Sequence, residues 1–590
     1  MRPLPGLAAA SVLLWGCGPA APRMAATPVP EASATAGVSS ALRPTAGASA
    51  EPEPIPAGRA SPPERYDDGV DVLHYDIELA LPRGSGWMQG HAALDLRLDR
   101  AVTAVDLDFS GLHIDEVTVD SGPVEWHHED GLLSIPLGSP AEAGARHRIA
   151  VAYRGVPDDG LILGETVHGD PSAFVDNWPN RTRFWLPSVD HPSDKATARF
   201  TVHAPAEWDV IANGRAAGPP VPTPPEVPGP SVGERRTWIY ETAVDHPTYT
   251  LVVGGADMVI DTVGLAACGE APVSPRADGC VAVTTWLFPD SRAEGASSFR
   301  RAADMVDVFT DMIGPFPYEK LANVQSATRF GGMENSSAIF YSQQAIAAGR
   351  DIESTVSHEI AHQWFGDSVT EADWSELWLS EGFATYFGAV YFERVDGMES
   401  FRERLAGAAR AYLTSADTLR PVIDRRGDLF DMLNRNSYQK GGWVLHMLRR
   451  EVGDDAFFAA IRAYYARYRD ATATTDDLRA VFEEVADRDL ARFFGQWLRA
   501  PGYPVLSVST RDLRTGLRVE IEQVQGDYAP RFHIPVDVEV TWDGRSVRAT
   551  VPLEGAGGVW IVPGAPADAR VTLDPDGWLL HRLHGSPPSP

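Results

Sequence analysis

From about residue 66 to 284 apolar and polar positions alternate in short runs, as in Val72-Leu73-His74-Tyr75-Asp76-Ile77-Glu78-Leu79. A period of two, interrupted by Gly, Pro and Asp clusters, predicts strands joined by turns. From about 290 the period changes. Stretches 296–313, 351–366, 399–414, 440–451, 454–468 and 475–499 carry apolar residues at helical spacing with charged residues between them. Alternation returns after Pro501-Gly502-Tyr503-Pro504, and 504–583 reads as a β-sandwich of six or seven strands. The pattern predicts a multidomain α+β protein. An N-terminal β-sheet domain spans 65–284, a mainly helical domain 285–503 and a C-terminal β-sandwich 504–583, with a short tail at 584–590. Residues 18–64 are dominated by Ala, Pro, Ser, Thr and Gly. Such a segment buries too little surface to offset chain entropy, and it is expected to be a flexible tether. The proline-rich stretch 216–233 is expected to be a surface loop.

Composition narrows the partners. The 590 residues carry a formal charge of −30, which excludes nucleic acid and anionic membrane surfaces, since both need basic patches. No apolar run reaches 18 residues, so no membrane-spanning helix is expected. Residues 4–16 are uncharged behind Arg2, the length of a signal-peptide core. Leu14-Trp15-Gly16-Cys17 resembles a bacterial lipobox, so 1–17 is expected to be a lipoprotein-type signal peptide. Cys17 is then the lipidated residue and the one membrane attachment. An exported chain meets an oxidising compartment, where Cys268 and Cys280 are expected to close a local disulfide. Of 51 basic residues, three are lysines: Lys195, Lys320 and Lys440. Where nearly every lysine has become arginine, the survivors are expected at positions a planar guanidinium cannot fill.

The chemistry concentrates in Ser357-His358-Glu359-Ile360-Ala361-His362. Residues four apart share a helix face, so His358 and His362 can hold one ion, with Glu359 beside its open position as a general base requires. Eighteen residues separate His362 from Glu381, which lies in Trp378-Leu379-Ser380-Glu381-Gly382-Phe383-Ala384. Two histidines and a glutamate leave a fourth position for water, the pattern of a catalytic site rather than a structural one. One zinc ion per chain is the expected cofactor, because its N/O preference and lack of redox chemistry suit a hydrolase. Structural Cys-rich zinc is excluded by the three cysteines.

At these residues the chain resembles the M1 zinc aminopeptidases, the aminopeptidase N group of gluzincins. Gly331-Gly332-Met333-Glu334-Asn335 matches the family's GxMEN exopeptidase motif. Tyr438-Gln439-Lys440-Gly441 matches its Y-x-K-G segment, and Arg181-Thr182-Arg183-Phe184-Trp185-Leu186-Pro187 through Lys195 resembles a landmark of its N-terminal domain. The resemblance spans about residues 66–583. It implies a thermolysin-like catalytic domain in a short bacterial form without the larger members' C-terminal helical domain. It also implies that Tyr438 stabilises the oxyanion, that Glu334 holds the substrate's α-ammonium, and that residues 331–333 bind the peptide as a strand edge. Asp176 and Asn177 are the candidates for a second amine-binding residue. The expected partner is a peptide with a free N-terminus, and the expected state a monomer. Competing readings are a zinc endopeptidase or epoxide-hydrolase-like enzyme, and a non-catalytic peptide-binding surface protein.

Overall fold

The computed structural model describes residues 69–230, 233–425 and 428–585. The expected signal peptide, the tether, Cys17 and most of the tail lie outside the described residues.

The first alternating region forms sheets, as its period requires. Val70–Ala80 lies between Met88–Leu98, antiparallel to it, and Lys195–Pro205, parallel to it. They lie inside a ten-stranded sheet that runs on to His113–Val119 at one side and Arg235–Glu241 at the other. Val72, Tyr75, Ile77 and Leu79 point into the core with Leu94, Leu96 and Phe200. A four-stranded sheet of Leu161–Glu165, Pro171–Val175, Val253–Ala256 and Asp209–Ala212 packs into the same core. The described residues of the proline-rich stretch are mostly exposed, as expected of a surface loop.

Strand pairing corrects the boundary at 284. Val259–Ala266 and Val281–Leu287 form a hairpin, and Val281–Leu287 continues in parallel to Leu321–Ser326. That strand pairs with Ala338–Ser342, and Gly332–Met333 closes the sheet as its edge strand. The alternation of 259–287 therefore belongs to the sheet that carries the GxMEN segment. Its period could not show this, because a pleat fixes which face a residue takes and says nothing of the partner strand.

Helices follow the predicted stretches, with breaks. The stretch 475–499 divides into Thr475–Ala486 and Ala491–Leu498. The first starts at a capping box, Thr474 with Asp477, and ends where Asp487 turns left-handed. The longest helix, Trp378–Val395, has no periodic signal, because fourteen of its eighteen residues are buried. A helix enclosed on all sides loses the polar stripe that periodicity detects.

The C-terminal region forms seven strands in two sheets. Gly557–Pro563, Gly516–Gln523, Val505–Leu513 and Arg582–Leu583 make one, and Arg545–Glu554, His533–Trp542 and Arg570–Leu573 the other. Leu517, Val519 and Ile521 meet Val536, Val538 and Val540 in a core continuous with that of the helices. Cys268 and Cys280 are disulfide-bonded.

Candidate active site

His358 and His362 project one turn apart from the motif helix Glu353–His362. Their Nε2 atoms are 3.0 Å apart, and Glu381 Oε2, from the first turn of Trp378–Val395, lies 3.1 and 3.2 Å from them. Tetrahedral zinc with ligands at about 2.0–2.1 Å separates neighbouring donors by about 3.3 Å. The three atoms thus form one face of such a tetrahedron. His362 Nδ1 donates to the Phe365 carbonyl at 3.1 Å, with Ser380 Oγ also at 3.1 Å, which orients the ring with Nε2 toward Glu381.

The electrostatics suit a dication. Five carboxyl groups, Glu334, Glu359, Asp367, Glu371 and Glu381, are buried around two imidazoles. Burial pushes Glu334 up to about 7 and Glu371 to about 8, and raises Glu359 and Asp367 well above the carboxylate range. Burial also works on Glu381, but the adjacent His362 and hydrogen bonds from both imidazoles outweigh it and hold that carboxyl at about 2. Mutual repulsion of this kind is what a bound cation relieves.

Two close approaches assemble the rest. A Cβ on Gly332 would fall 2.2 Å from Glu359 Oε1, so the edge strand lies directly against the side chain of the general-base candidate. Glu334, Glu359 and His362 gather as a second group whose ligating atoms all lie within 4.8 Å of one another. A Cβ on Gly382 would stand 2.9 Å from Gly441, so the buried helix and the Y-x-K-G helix (Gly441–Val452) cross almost backbone to backbone. That crossing sets Tyr438, on the single π-turn Asn436–Lys440, over the His358 ring, with centroids 5.9 Å apart, and within hydrogen-bonding reach of Glu381. Burial and the neighbouring Glu381 charge keep the phenol protonated, hence a donor.

Gly332–Met333 form the edge strand, and Glu334 and Asn335, both buried, follow it directly. Asp176 and Asn177 do not join the metal-centred group. Asp176 accepts from Arg181 Nη2 at 3.0 Å and Thr328 Oγ1 at 2.9 Å. Asn177 donates to the Leu251 and Thr248 carbonyls and accepts from Trp185 Nε1. These bonds tie Asp176 to Thr328, just ahead of the GxMEN segment, and Asn177 to the backbone at 248–251. Sequence reasoning also missed Gln363, Asp367 and Glu371, which carry no spacing signal.

All three lysines donate to backbone carbonyls, Lys195 and Lys320 to more than one. Lys195 Nζ donates to the carbonyls of Asp367 and Ser368 at 3.0 and 2.8 Å, just past the motif helix. Lys320 Nζ donates to the Ala212 carbonyl at 2.8 Å, to that of Gly214, and to Ser337 Oγ at 3.2 Å. Lys440 is fully buried and donates to the Ala500 carbonyl. Convergent carbonyls suit a compact ammonium with three donors better than a planar fork.

Residues 71–249 match the peptidase M1 N-terminal domain, and 298–497 match the peptidase family M1 domain. The chain belongs to peptidase family M1. It is 25% identical over 507 residues to probable aminopeptidase 2 of Sulfurisphaera tokodaii, covering 81% of this chain and 60% of that protein. It is 29% identical over 541 residues to aminopeptidase N of Streptomyces lividans, covering 86% and 59%. The chain thus spans about half to three-fifths of the length of the curated family M1 relatives it matches. A mutant of the M1 zinc metallopeptidase from Deinococcus radiodurans, bound to a Tyr-ser-ala substrate, superposes with a TM-score of 0.63 at 25% identity. That match covers 74% of this chain and 96% of the other.

Proposed function

We propose that this family M1 chain is a zinc aminopeptidase that hydrolyses the first peptide bond of peptides with a free N-terminus. The observation that carries the reading is the gathering of Glu334 with Glu359 and His362 beside the His358–His362–Glu381 triad. A zinc ion held by that triad supplies Lewis acidity and acidifies bound water. Glu359, whose raised proton affinity suits a base that must also return the proton, takes it from the attacking water and passes it to the leaving amine. Tyr438 donates a hydrogen bond to the oxygen that becomes negatively charged. Glu334 pairs with the α-ammonium and registers the first peptide bond over the metal, while the free edge of Gly332–Met333 accepts the substrate backbone as an added strand.

The test is hydrolysis of aminoacyl-anilides with free and N-acetylated amines, with and without a chelator. Cleavage of the free-amine substrates alone, abolished by chelator and restored by zinc, is the expected result. Equal cleavage of both forms would remove Glu334 as the anchor and favour an endopeptidase. No cleavage by folded, zinc-loaded protein would favour the peptide-binding reading.

The chain is further proposed to act as an exported monomer anchored by a lipid on Cys17. The uncharged stretch before Cys17 and the Cys268–Cys280 bond support export. Incorporation of labelled fatty acid that disappears in Cys17→Ser tests the anchor, and sedimentation tests the monomer.

A further inference from the structure

The turn that carries Glu334 is held from two sides. On the N-terminal-domain side, Asn213 Nδ2 donates to the Ser336 carbonyl at 2.8 Å, and the Gly214 amide donates to Ser337 Oγ at 3.1 Å. Lys320 adds its ammonium to Ser337 Oγ. Ser337 itself has φ +67°, a left-handed conformation that a non-glycine residue holds only when its surroundings fix it.

On the other side stands the side chain of the residue that caps the C-terminal end of the motif helix. Gln363, completely buried and next to the ligand His362, accepts from the Ser337 amide at 2.8 Å. Its Nε2 donates to the Glu334 carbonyl and to Asp367 Oδ2, each at 2.8 Å. The assignment of its amide is fixed by these partners, since the Ser337 N–H can only donate and the Glu334 carbonyl only accept. The Asp367 carbonyl is in turn one of the oxygens clasped by Lys195. Gln363 therefore ties the backbone of the exopeptidase turn to the helix that supplies two metal ligands, with both N–H groups and its oxygen engaged.

We propose that Gln363 is a positioning residue that sets the distance between the Glu334 carboxylate and the metal, and so the register in which a substrate's amine and first peptide bond are held. The proposal rests on the aminopeptidase reading above. Misplacing an anchoring group by about 1 Å costs on the order of a hundredfold, so this distance is where specificity for a free N-terminus is set.

The test compares leucine hydroxamate with isocaproyl hydroxamate, which has the same chain without the amine. Binding to zinc-loaded protein is measured by calorimetry, alongside zinc content and thermal unfolding. The variants are Gln363→Met, which keeps the volume and removes the hydrogen bonds, and Gln363→Asn, which keeps the amide on a shorter stem. The expected result is about a hundredfold weaker leucine hydroxamate with isocaproyl hydroxamate changed by less than about threefold and zinc content retained. KM for free-amine anilides should rise with it by more than kcat falls. A proportional weakening of both hydroxamates, or no change in either, in a variant that folds and holds zinc would overturn the proposal. Failure of the unsubstituted protein to distinguish the two hydroxamates would instead overturn the amine-anchoring role of Glu334, and the positioning role with it.

Discussion

In the C-terminal sandwich, Arg548 reaches Glu539 and Asp576 at 3.1 and 2.8 Å with about half of its side chain in solvent. Around the motif helix, Glu334, Glu359, Asp367, Glu371 and Glu381 are buried. Both regions place acids near bases, yet water screens the first set and leaves the second to act on itself. Exposed pairs therefore perturb their carboxylates modestly and hold little of the fold. Buried carboxyls around two histidines have displaced proton affinities, which is the condition for acid–base and metal chemistry. The three lysines extend the contrast, because they are cations held inside by carbonyls where almost every other cation of the chain is an arginine.

The sharpest way to exploit this difference is Glu359→Gln. It keeps the shape and hydrogen-bonding capacity of the side chain and removes the base, so kcat should fall by about 10³-fold or more while zinc content and unfolding temperature hold. Turnover near that of the unsubstituted enzyme would end its role as general base. A smaller effect is expected at Lys440, whose ammonium burial pulls down to about 7 from an ordinary 10.5. Between those values the unfolded chain binds a proton that the folded one does not, so stability from this group rises with pH from about 7 to 10.5. Below 7 both states are protonated and the burden of the buried charge is greatest. Urea unfolding of Lys440→Met across that range should lack the rise, on the order of a few kcal/mol. A parallel slope in both proteins would place the titration elsewhere.

Lys320→Arg asks whether the carbonyl clasp tolerates a fork. Overpacking there should lower stability by about 1–3 kcal/mol in denaturant unfolding, and an unchanged midpoint would show that the surviving lysines are accidents of composition. The smallest effect belongs to the sandwich. Arg548→Ala should leave kcat/KM unchanged and barely move the unfolding midpoint, and a large shift would erase the distinction between the regions.

Much of the site was legible in the sequence because its residues are linked by local geometry. The four-residue spacing of His358 and His362 is a property of helix pitch, and it holds whatever surrounds the helix. The alternation of 504–583 likewise pointed to six or seven strands, of which seven form, since a pleat repeats every two residues wherever it packs. Other features were silent. The helix Trp378–Val395 that brings Glu381 to the two histidines is buried on nearly every side and so has no amphipathic signature. What Asp176 and Asn177 bond could not be read at their positions, because Thr328 and Leu251 come from distant parts of the chain.

What the sequence determined by itself was the candidate ligands, the general-base candidate and the helix face that His358 and His362 share. Tertiary structure alone decided the distances between the elements that carry them. It brought Gly332 onto Glu359 and Gly382 onto Gly441, gave 259–287 to the catalytic sheet, and placed Gln363 between Glu334 and the metal helix. The reason is that spacing along one element is fixed by backbone geometry, whereas separation between elements is fixed by which side chains pack in the gap, and those come from distant parts of the chain.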